Sequence, residues 1–194
     1  MQPHQRRFVD LALARSALRF GRFTLKSGRE SPYFFNAGLF NTGDDLRQLG
    51  QFYAAAIEAA NIEYDVIFGP AYKGIPLVVA TSIALSDYHK NVPYAFNRKE
   101  AKTYGDSGNI VGAELKGKKV LIIDDVITAG TAIRETVDLL NDIGAHFCGV
   151  VIALDRQERG QGKTSAIQEI EQQHNVPIVN IISFENLIQF LQEN

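Results

Sequence analysis

Two adjacent carboxylates stand at an unusual position in this 194-residue chain. Asp124 and Asp125 end the apolar stretch "VLII" and are followed directly by "VITAGTA". Two carboxylates about 5 Å apart repel each other by roughly 3 kcal/mol at an effective dielectric constant of about 20. Because folding alone gives no reason to accept this cost, the pair predicts a partner that favours both charges.

The segment that follows the acids supplies complementary hydrogen-bond donors. Gly130 and its neighbouring alanines let backbone amides approach a ligand closely, and Thr128 and Thr131 add hydroxyl donors. The segment opens a predicted helix from Thr131 to Ile143, whose free N–H groups and positive dipole end favour an anion. Donors for a phosphate therefore lie beside acceptors for hydroxyl groups, and a sugar phosphate satisfies both.

Three other interpretations of the same residues compete with a sugar phosphate site. The acids could simply end a strand in a solvated turn. A Rossmann nucleotide site would have its glycine-rich turn without two acids immediately before it. A response-regulator receiver carries its acidic pair on the first strand of a domain longer than the chain that remains after Asp124. The residues favour the sugar phosphate over all three and exclude none of them.

Composition indicates an ordinary globular protein of one domain. The apolar fraction is 45%, the charged fraction is 22% and the formal net charge is −2. No global field therefore recruits nucleic acid or an acidic membrane, and any anion site must be built locally.

The cysteine and histidine content argues against a disulfide or a metal cluster. The single cysteine, Cys148, lies in a predicted buried strand and is interpreted as a core residue. No apolar run reaches the roughly 18 residues of a membrane span, and the amino terminus lacks a signal peptide core, so a cytoplasmic protein is predicted. The four histidines, without metal-ligand spacing, are His4, His89, His146 and His174.

Alternating elements predict how the acidic turn is positioned. From Tyr64 onward, short β-branched runs alternate with helical segments, which predicts a mainly parallel sheet with helices on both faces. Asp124 and Asp125 would then lie at the carboxyl end of a strand, where ligands bind in such sheets. The predicted strands are "YDVIFG", "PYAFN", "KKVLIID", "FCGVVIAL" and "VPIVNII". The predicted helices between them are Ile75–Tyr88, Thr131–Ile143 and Thr164–His174.

The remaining sequence predicts additions at the two ends of the chain. A helix is expected from Arg7 to Phe20, followed by a hairpin around Ser27–Gly28. Thr42 is expected to cap the next helix, and Ser183 to cap the last one, "FENLIQFLQE".

The stretch "VLIIDDVITAGTA" resembles the phosphoribosyl diphosphate (PRPP) binding motif of type I phosphoribosyltransferases. The segments "FTLKSGRESPYFFNAGLFNTG", "FGPAYKGIP", "FNRKEAK" and "LDRQERG" are similar to segments of the bacterial orotate phosphoribosyltransferases. The resemblance covers nearly the whole chain. It implies an α/β type I phosphoribosyltransferase fold in one domain, residues 1–194, in which residues of about 1–40 form part of a small hood over the base site.

The resemblance also implies the reaction and its partners. PRPP and orotate would give orotidine 5-phosphate and pyrophosphate, a step toward UMP. Mg²⁺ would be held mainly by PRPP and water, with no direct protein ligand, and two copies of the chain would form a homodimer. Neither nucleic acid nor a membrane is an expected partner, and related chains are expected to continue past the position of Asn194.

For PRPP, the resemblance assigns the ribose hydroxyls to the acid pair, the 5-phosphate to the loop after it, and the pyrophosphate to Tyr72–Lys73. Lys99 and Lys102 would act across the dimer from a mobile lid, where Tyr104 replaces a histidine found in many relatives. The implied catalytic residues are Lys26, Lys102, Asp124 and Asp125. The implied PRPP contacts are Lys26, Tyr72, Lys73, Arg98, Lys99, Lys102, Tyr104, Asp124, Asp125, Val126, Ile127, Thr128, Ala129, Gly130, Thr131 and Ala132.

For the base, the resemblance assigns Arg156 to the orotate carboxylate, which a bidentate guanidinium fits. Two rival functions stay open on the residues: the same transfer to another base such as a purine, and a PRPP-sensing regulator that binds nucleic acid. The implied orotate contacts are Lys26, Phe34, Phe35, Thr128 and Arg156.

Overall fold

The computed structural model describes residues 1–24, 30–102, 108–157 and 164–193. Their main feature is a six-stranded sheet of order β5-β4-β3-β6-β7-β8, in which only the β4–β5 pair is antiparallel. The strands are β3 Val66–Gly69, β4 Tyr94–Lys102, β5 Gly108–Gly112, β6 Lys119–Val126, β7 His146–Asp155 and β8 Ile178–Ser183. The predicted α/β fold with a mainly parallel sheet is confirmed.

Helices cover both faces of this sheet. The helices are α1 Pro3–Ala14, α2 Gly43–Ala60, α3 Gly74–Ser86, α4 Thr131–Ile143, α5 Ala166–His174 and α6 Phe184–Glu193. Thr42 caps α2 by accepting a hydrogen bond from the Asp45 amide at 3.3 Å, as predicted. Ser183 accepts from the Asn186 amide at 3.3 Å and caps α6, also as predicted. No helix in the described ranges is long and apolar enough to span a membrane.

The central strand β6 shows why the sheet is buried on both faces. Successive strand residues point to opposite sides. Leu121 and Ile123 pack into one apolar cluster with α1, α2, α3 and α6. Val120 and Ile122 pack into a second cluster with α4 and α5. The acid pair continues this buried strand, so its position is fixed by core packing on both sides.

The amino-terminal region differs from the prediction at both ends of its helix, which begins at Pro3 instead of Arg7. The helix ends at Ala14 instead of Phe20, and β1, Leu18–Thr24, pairs antiparallel with β2, Glu30–Phe35. The chain turns at Ser16, whose φ is 55°. The expectation was wrong because pairing of Leu18 with Phe35 outweighs local helical periodicity. The predicted turn at Ser27–Gly28 lies outside the described residues.

The β1–β2 hairpin packs against both ends of the chain. The Phe35 ring lies 6.3 Å from the Phe8 ring of α1. On the same strand, the Tyr33 ring stacks on Phe184 of α6 at 5.6 Å. The hairpin is therefore attached to the main sheet through aromatic contacts with α1 and α6.

A second difference concerns the charged stretch after Phe96. The predicted strand "PYAFN" continues to Lys102, and Gly108–Gly112 returns beside it as β5. The basic residues of the expected lid, Arg98, Lys99 and Lys102, thus belong to a strand. The sequence did not predict the second half of β4 as a strand, because its charge and the glycines that follow are typical of solvated loops. Residues 103–107, with Tyr104, lie outside the described part.

Candidate active site

The carboxyl ends of three neighbouring parallel strands meet at one edge of the sheet. Phe68 of β3 pairs with Ile122 of β6, and Asp124 of β6 pairs with Ile152 of β7. The turns after β3 and β6, together with Arg156 after β7, therefore face the same space. This is the edge where α/β sheets bind ligands.

The two carboxylates fold back onto their own backbone. Asp124 Oδ1 accepts a hydrogen bond from the Asp125 amide at 2.8 Å, and Asp125 Oδ1 accepts from the Val126 amide at 2.9 Å. Asp124 is 9% exposed and Asp125 is 6% exposed. One oxygen of each carboxylate is therefore used to fix the turn.

Burial and charge act together on Asp124. Burial, and then the neighbouring charge of Asp125, raise the pKa of Asp124 to about 7. A carboxylate with such a pKa is only partly ionised at neutral pH. A ligand that donates hydrogen bonds to it would favour its charged form.

Lys73 links the turns after β3 and β6. Its Nζ lies 2.8 Å from Asp125 Oδ2, and its side chain is 58% exposed whereas that of Asp125 is 9% exposed. The ammonium thus lies on the solvent side of the acid pair. The predicted pyrophosphate residue and one predicted ribose residue are in direct contact.

Tyr53 contacts the backbone of the acid pair from the protein core, and the sequence did not identify it. Its hydroxyl donates a hydrogen bond to the Asp124 carbonyl at 2.8 Å, and the residue is fully buried. Burial, followed by the charges of Asp125 and Asp124, raises its pKa well above the usual value, so the hydroxyl keeps its proton. A tyrosine on the apolar face of α2 gives no sequence signal that separates it from ordinary core aromatics.

The turn after β3 is shaped by the absence of side chains at two glycines. A Cβ at Gly69 would collide with the Gly74 carbonyl, and a Cβ at Gly74 would lie 2.7 Å from Pro70 Cδ. The peptide bond between Ala71 and Tyr72 is cis. At Gly69 and Gly74 the backbone therefore leaves no room for a side chain.

Asn97 of β4 holds this turn from the neighbouring strand. Its Oδ1 accepts a hydrogen bond from the Ala71 amide at 2.8 Å. Lys99 approaches the same turn, with Nζ 5.2 Å from the centre of the Tyr72 ring, which is 66% exposed. The structure thus brings together Tyr72, Lys73 and Lys99. Arg98 lies half-buried one position before Lys99 in β4, and the Lys102 side chain falls outside the described part.

The loop after the acid pair encloses a separate cavity of about 300 Å³. Gly130 precedes α4 with φ 79° and ψ 0°, in the left-handed region that favours glycine. The first N–H groups of α4 have no partner within the helix, and the first helical residues Thr131, Ala132 and Ile133 line this cavity. The cavity is lined by Val126, Ile127, Thr128, Gly130, Thr131, Ala132, Ile133 and Glu135.

Arg156 meets the amino-terminal hairpin through Tyr33. Its Cζ lies 5.4 Å from the centre of the Tyr33 ring. The side chains of the two predicted phenylalanines pack elsewhere: Phe35 lies 6.4 Å from Phe40, and Phe34 lies 5.7 Å from Phe23. Tyr33 is thus the aromatic side chain beside Arg156, and sequence reasoning missed it. Lys26 lies outside the described residues.

The carboxylate pair also fits a magnesium ion. Mg²⁺ retains several waters and usually binds one or two carboxylates together with substrate phosphates. Within the described ranges, no group of three or more histidine, cysteine or acidic side chains could hold a metal. Asp124 and Asp125 match the smaller demand of Mg²⁺. The expectation that they make no direct bond to the ion stays a prediction.

Comparisons with known proteins show the family. A family model for the phosphoribosyl transferase domain matches residues 43–180. The orotate phosphoribosyltransferase of Enterobacter sp. (strain 638) is 56% identical over 194 residues, which covers 100% of this chain and 91% of the relative. That of Marinobacter nauticus is 58% identical with the same coverage. A crystal structure of the Francisella tularensis enzyme superposes with a TM-score of 0.89 at 49% identity, covering 97% of this chain and 91% of that one.

Proposed function

This chain belongs to the orotate phosphoribosyltransferase family, and we propose that the sheet edge formed by β3, β6 and β7 carries that reaction. The 5-phosphoribosyl group of PRPP is transferred to orotate, which gives orotidine 5-phosphate and pyrophosphate. The observation that carries the proposal is the 2.8 Å contact between Lys73 and Asp125. This contact places Lys73, the proposed cation for pyrophosphate, next to Asp125, the proposed acid for ribose, beside the cavity at Gly130.

The sugar phosphate is bound along the turn after β6. Asp124 and Asp125 accept hydrogen bonds from the ribose hydroxyls, and the hydroxyls of Thr128 and Thr131 together with the Gly130 amide hold the 5-phosphate. The acids also stabilise positive charge that develops on the ribosyl centre as its bond to pyrophosphate breaks. Donation by the ribose hydroxyls offsets the repulsion between the two acids.

Pyrophosphate is bound by the turn after β3 and by the basic residues of β4. Lys73 exchanges Asp125 for a pyrophosphate oxygen when PRPP enters, and Tyr72 and Arg98 complete this side. A magnesium ion would be held mainly by PRPP oxygens and water, and Asp124 and Asp125 would supply negative charge beside it. Bound Mg²⁺ supplies charge neutralisation for the departing pyrophosphate.

Orotate lies between the amino-terminal hairpin and the end of β7. Arg156 pairs with its carboxylate, and Lys26, the backbone of Phe34 and Phe35, and Thr128 border the ring. Residues of about 1–40 act as the hood within a single domain, residues 1–194. The packing of Tyr33 against Arg156 supports this arrangement, because it connects the hairpin with the proposed base-binding cation.

A second copy of the chain completes the site in a cytoplasmic homodimer. Lys99 and Lys102 reach across to the partner's pyrophosphate, and Tyr104 donates a hydrogen bond there without adding charge. These residues exclude water during transfer. The Lys102→Ala variant is expected to lose turnover far more than orotate affinity. Unchanged turnover would remove Lys102 from the mechanism.

The direct test of base choice is the loss of orotate ultraviolet absorbance with PRPP and Mg²⁺. Parallel assays contain uracil, hypoxanthine or adenine in place of orotate. We expect orotate alone to be consumed, and Arg156→Ala to raise the KM for orotate about 100-fold, the loss of a charge-assisted bidentate contact. Consumption of a purine instead would overturn the substrate. PRPP binding without turnover of any base, together with salt-dependent nucleic-acid binding, would favour the regulator.

A further inference from the structure

Arg134 contacts the loop that follows the acid pair, on the side opposite the cavity. It belongs to the first turns of α4, and its Nη1 donates a hydrogen bond to the Ala129 carbonyl at 2.9 Å. Its Nη2 lies 3.1 Å from Glu169 Oε2 in the first turn of α5. One planar guanidinium therefore connects the loop to two helices.

This contact fixes the direction of one peptide group. In a trans peptide the carbonyl and the following N–H point in opposite directions. Among the described residues the Ala71–Tyr72 bond alone is cis, so the bond between Ala129 and Gly130 is trans. With the Ala129 carbonyl held toward Arg134, the Gly130 N–H points away from it. Gly130 lines the cavity, and Arg134 is not one of the residues that line it.

The absence of a side chain at Gly130 matches the position of the guanidinium. A Cβ at Gly130 would lie 2.8 Å from Arg134 Nη1 and 3.3 Å from Ile170 Cδ1. Those distances leave no room for a methyl group beside an undisturbed guanidinium. Glycine at this position therefore serves both the left-handed backbone and the close approach of Arg134.

Glu169 balances the charge of Arg134. The Arg134 side chain is 27% exposed and that of Glu169 is 18% exposed, so the ion pair is only weakly screened by solvent. A guanidinium paired in this way adds little net positive potential to the cavity. Its contribution is to hold geometry.

We propose that Arg134 is a positioning residue that orients the Gly130 amide toward the 5-phosphate of PRPP. The inference rests on the proposed function, in which the loop after the acid pair binds that phosphate. Arg134 itself does not touch the ligand.

Calorimetric titration with ribose 5-phosphate and, separately, with inorganic pyrophosphate tests the proposal. Arg134→Met loses the charge-assisted hydrogen bond to the Ala129 carbonyl and is expected to bind ribose 5-phosphate about tenfold more weakly. Its affinity for pyrophosphate should be unchanged. Arg134→Lys should recover part of the loss, because an ammonium can still donate to Ala129. The matched control is Arg47→Met, which removes an exposed arginine paired with Asp44 on α2 and should leave both affinities unchanged.

The loss is expected to be the same at low and high salt, since it arises from geometry. A loss that disappears at high salt would instead indicate direct attraction of the phosphate and overturn the proposal. If Arg134→Met and Arg134→Lys both bind ribose 5-phosphate as the wild type does, the proposed role of Arg134 is overturned. If Thr131→Val still binds it weakly, the proposed function stays intact. Wild-type protein that binds neither ribose 5-phosphate nor PRPP would overturn both.

Discussion

The turns after β3 and β6 lie side by side at the same sheet edge and differ in what determines their structure. The β6 turn carries reactive groups in consecutive residues, Asp124 to Thr131, on a strand buried on both faces. The β3 turn owes its shape to missing side chains at Gly69 and Gly74 and to a hydrogen bond from Ala71 to Asn97. The β6 turn contributes consecutive reactive groups, whereas the β3 turn presents Lys73 on a backbone whose shape depends on missing side chains.

The two turns should respond differently to mutation. A buried acid pair acts against folding, so replacing one of its members should cost activity and spare stability. A turn without room for side chains should lose stability and activity together. Lys73 joins the two turns through Asp125, so the ligand-binding surface depends on both.

The largest expected effect is that of Gly69→Ala. The added methyl group collides with the Gly74 carbonyl, which belongs to the backbone and cannot move aside. We expect a loss of about 3 kcal/mol in the free energy of unfolding, together with most of the activity. Urea denaturation measures the first quantity. The control is Gly43→Ala, where a Cβ meets nothing within 4 Å. Equal stability of the two variants would contradict the steric account.

Asp124→Asn should separate activity from stability. Loss of a charge that stabilises the transition state is expected to lower kcat about 100-fold. The free energy of unfolding at pH 8 should stay the same or rise, because repulsion from Asp125 is removed. Turnover assays and urea denaturation on the same preparation give both values. A variant that is less stable and fully active would reverse the assignment of the β6 turn.

The pH dependence of stability follows from the pKa of Asp124. Because this pKa is raised from 3.8 to about 7, the folded state holds the proton more tightly than the unfolded state. The contribution of Asp124 therefore destabilises the fold progressively as pH rises from about 4 to about 7 and is constant above that range. Asp124→Asn lacks this contribution. The free energy of unfolding of the variant minus that of the wild type should grow across this window; a constant difference would contradict the raised pKa.

Tyr53→Phe is expected to have the smallest effect. It removes the hydrogen bond to the buried Asp124 carbonyl, which costs about 1–2 kcal/mol of stability. The KM for PRPP should rise a few-fold as the acid pair loses its support. Steady-state kinetics and thermal melting measure the two effects. Tyr88→Phe is the control, because Tyr88 is 45% exposed. A Tyr53→Phe variant that matches it would remove Tyr53 from the site.

The two turns also differ in how far they could be predicted from the sequence. The β6 turn was predictable because its acids, threonines and glycine are consecutive and lie between a strand and a helix. In the β3 turn, the contact of Ala71 with Asn97 and the ion pair of Lys73 with Asp125 join residues far apart in the chain. Tyr53 and Tyr33 were missed for the same reason, and Arg134 was missed because its contact with Ala129 depends on the left-handed turn at Gly130, which residue types alone do not predict. The β4–β5 pair could not be predicted from local charge, because a charged stretch is usually exposed to solvent whereas here it forms a strand.

We expect one PRPP molecule to span both turns, and a crystal structure of the protein with PRPP and Mg²⁺ would show whether it does. We expect the 5-phosphate at the Gly130 amide and the Thr131 hydroxyl, the ribose hydroxyls at Asp124 and Asp125, and pyrophosphate at Lys73 with the Lys73–Asp125 contact broken. PRPP bound in the reverse direction, or with the Lys73–Asp125 pair intact and no ligand oxygen near Lys73, would contradict the account.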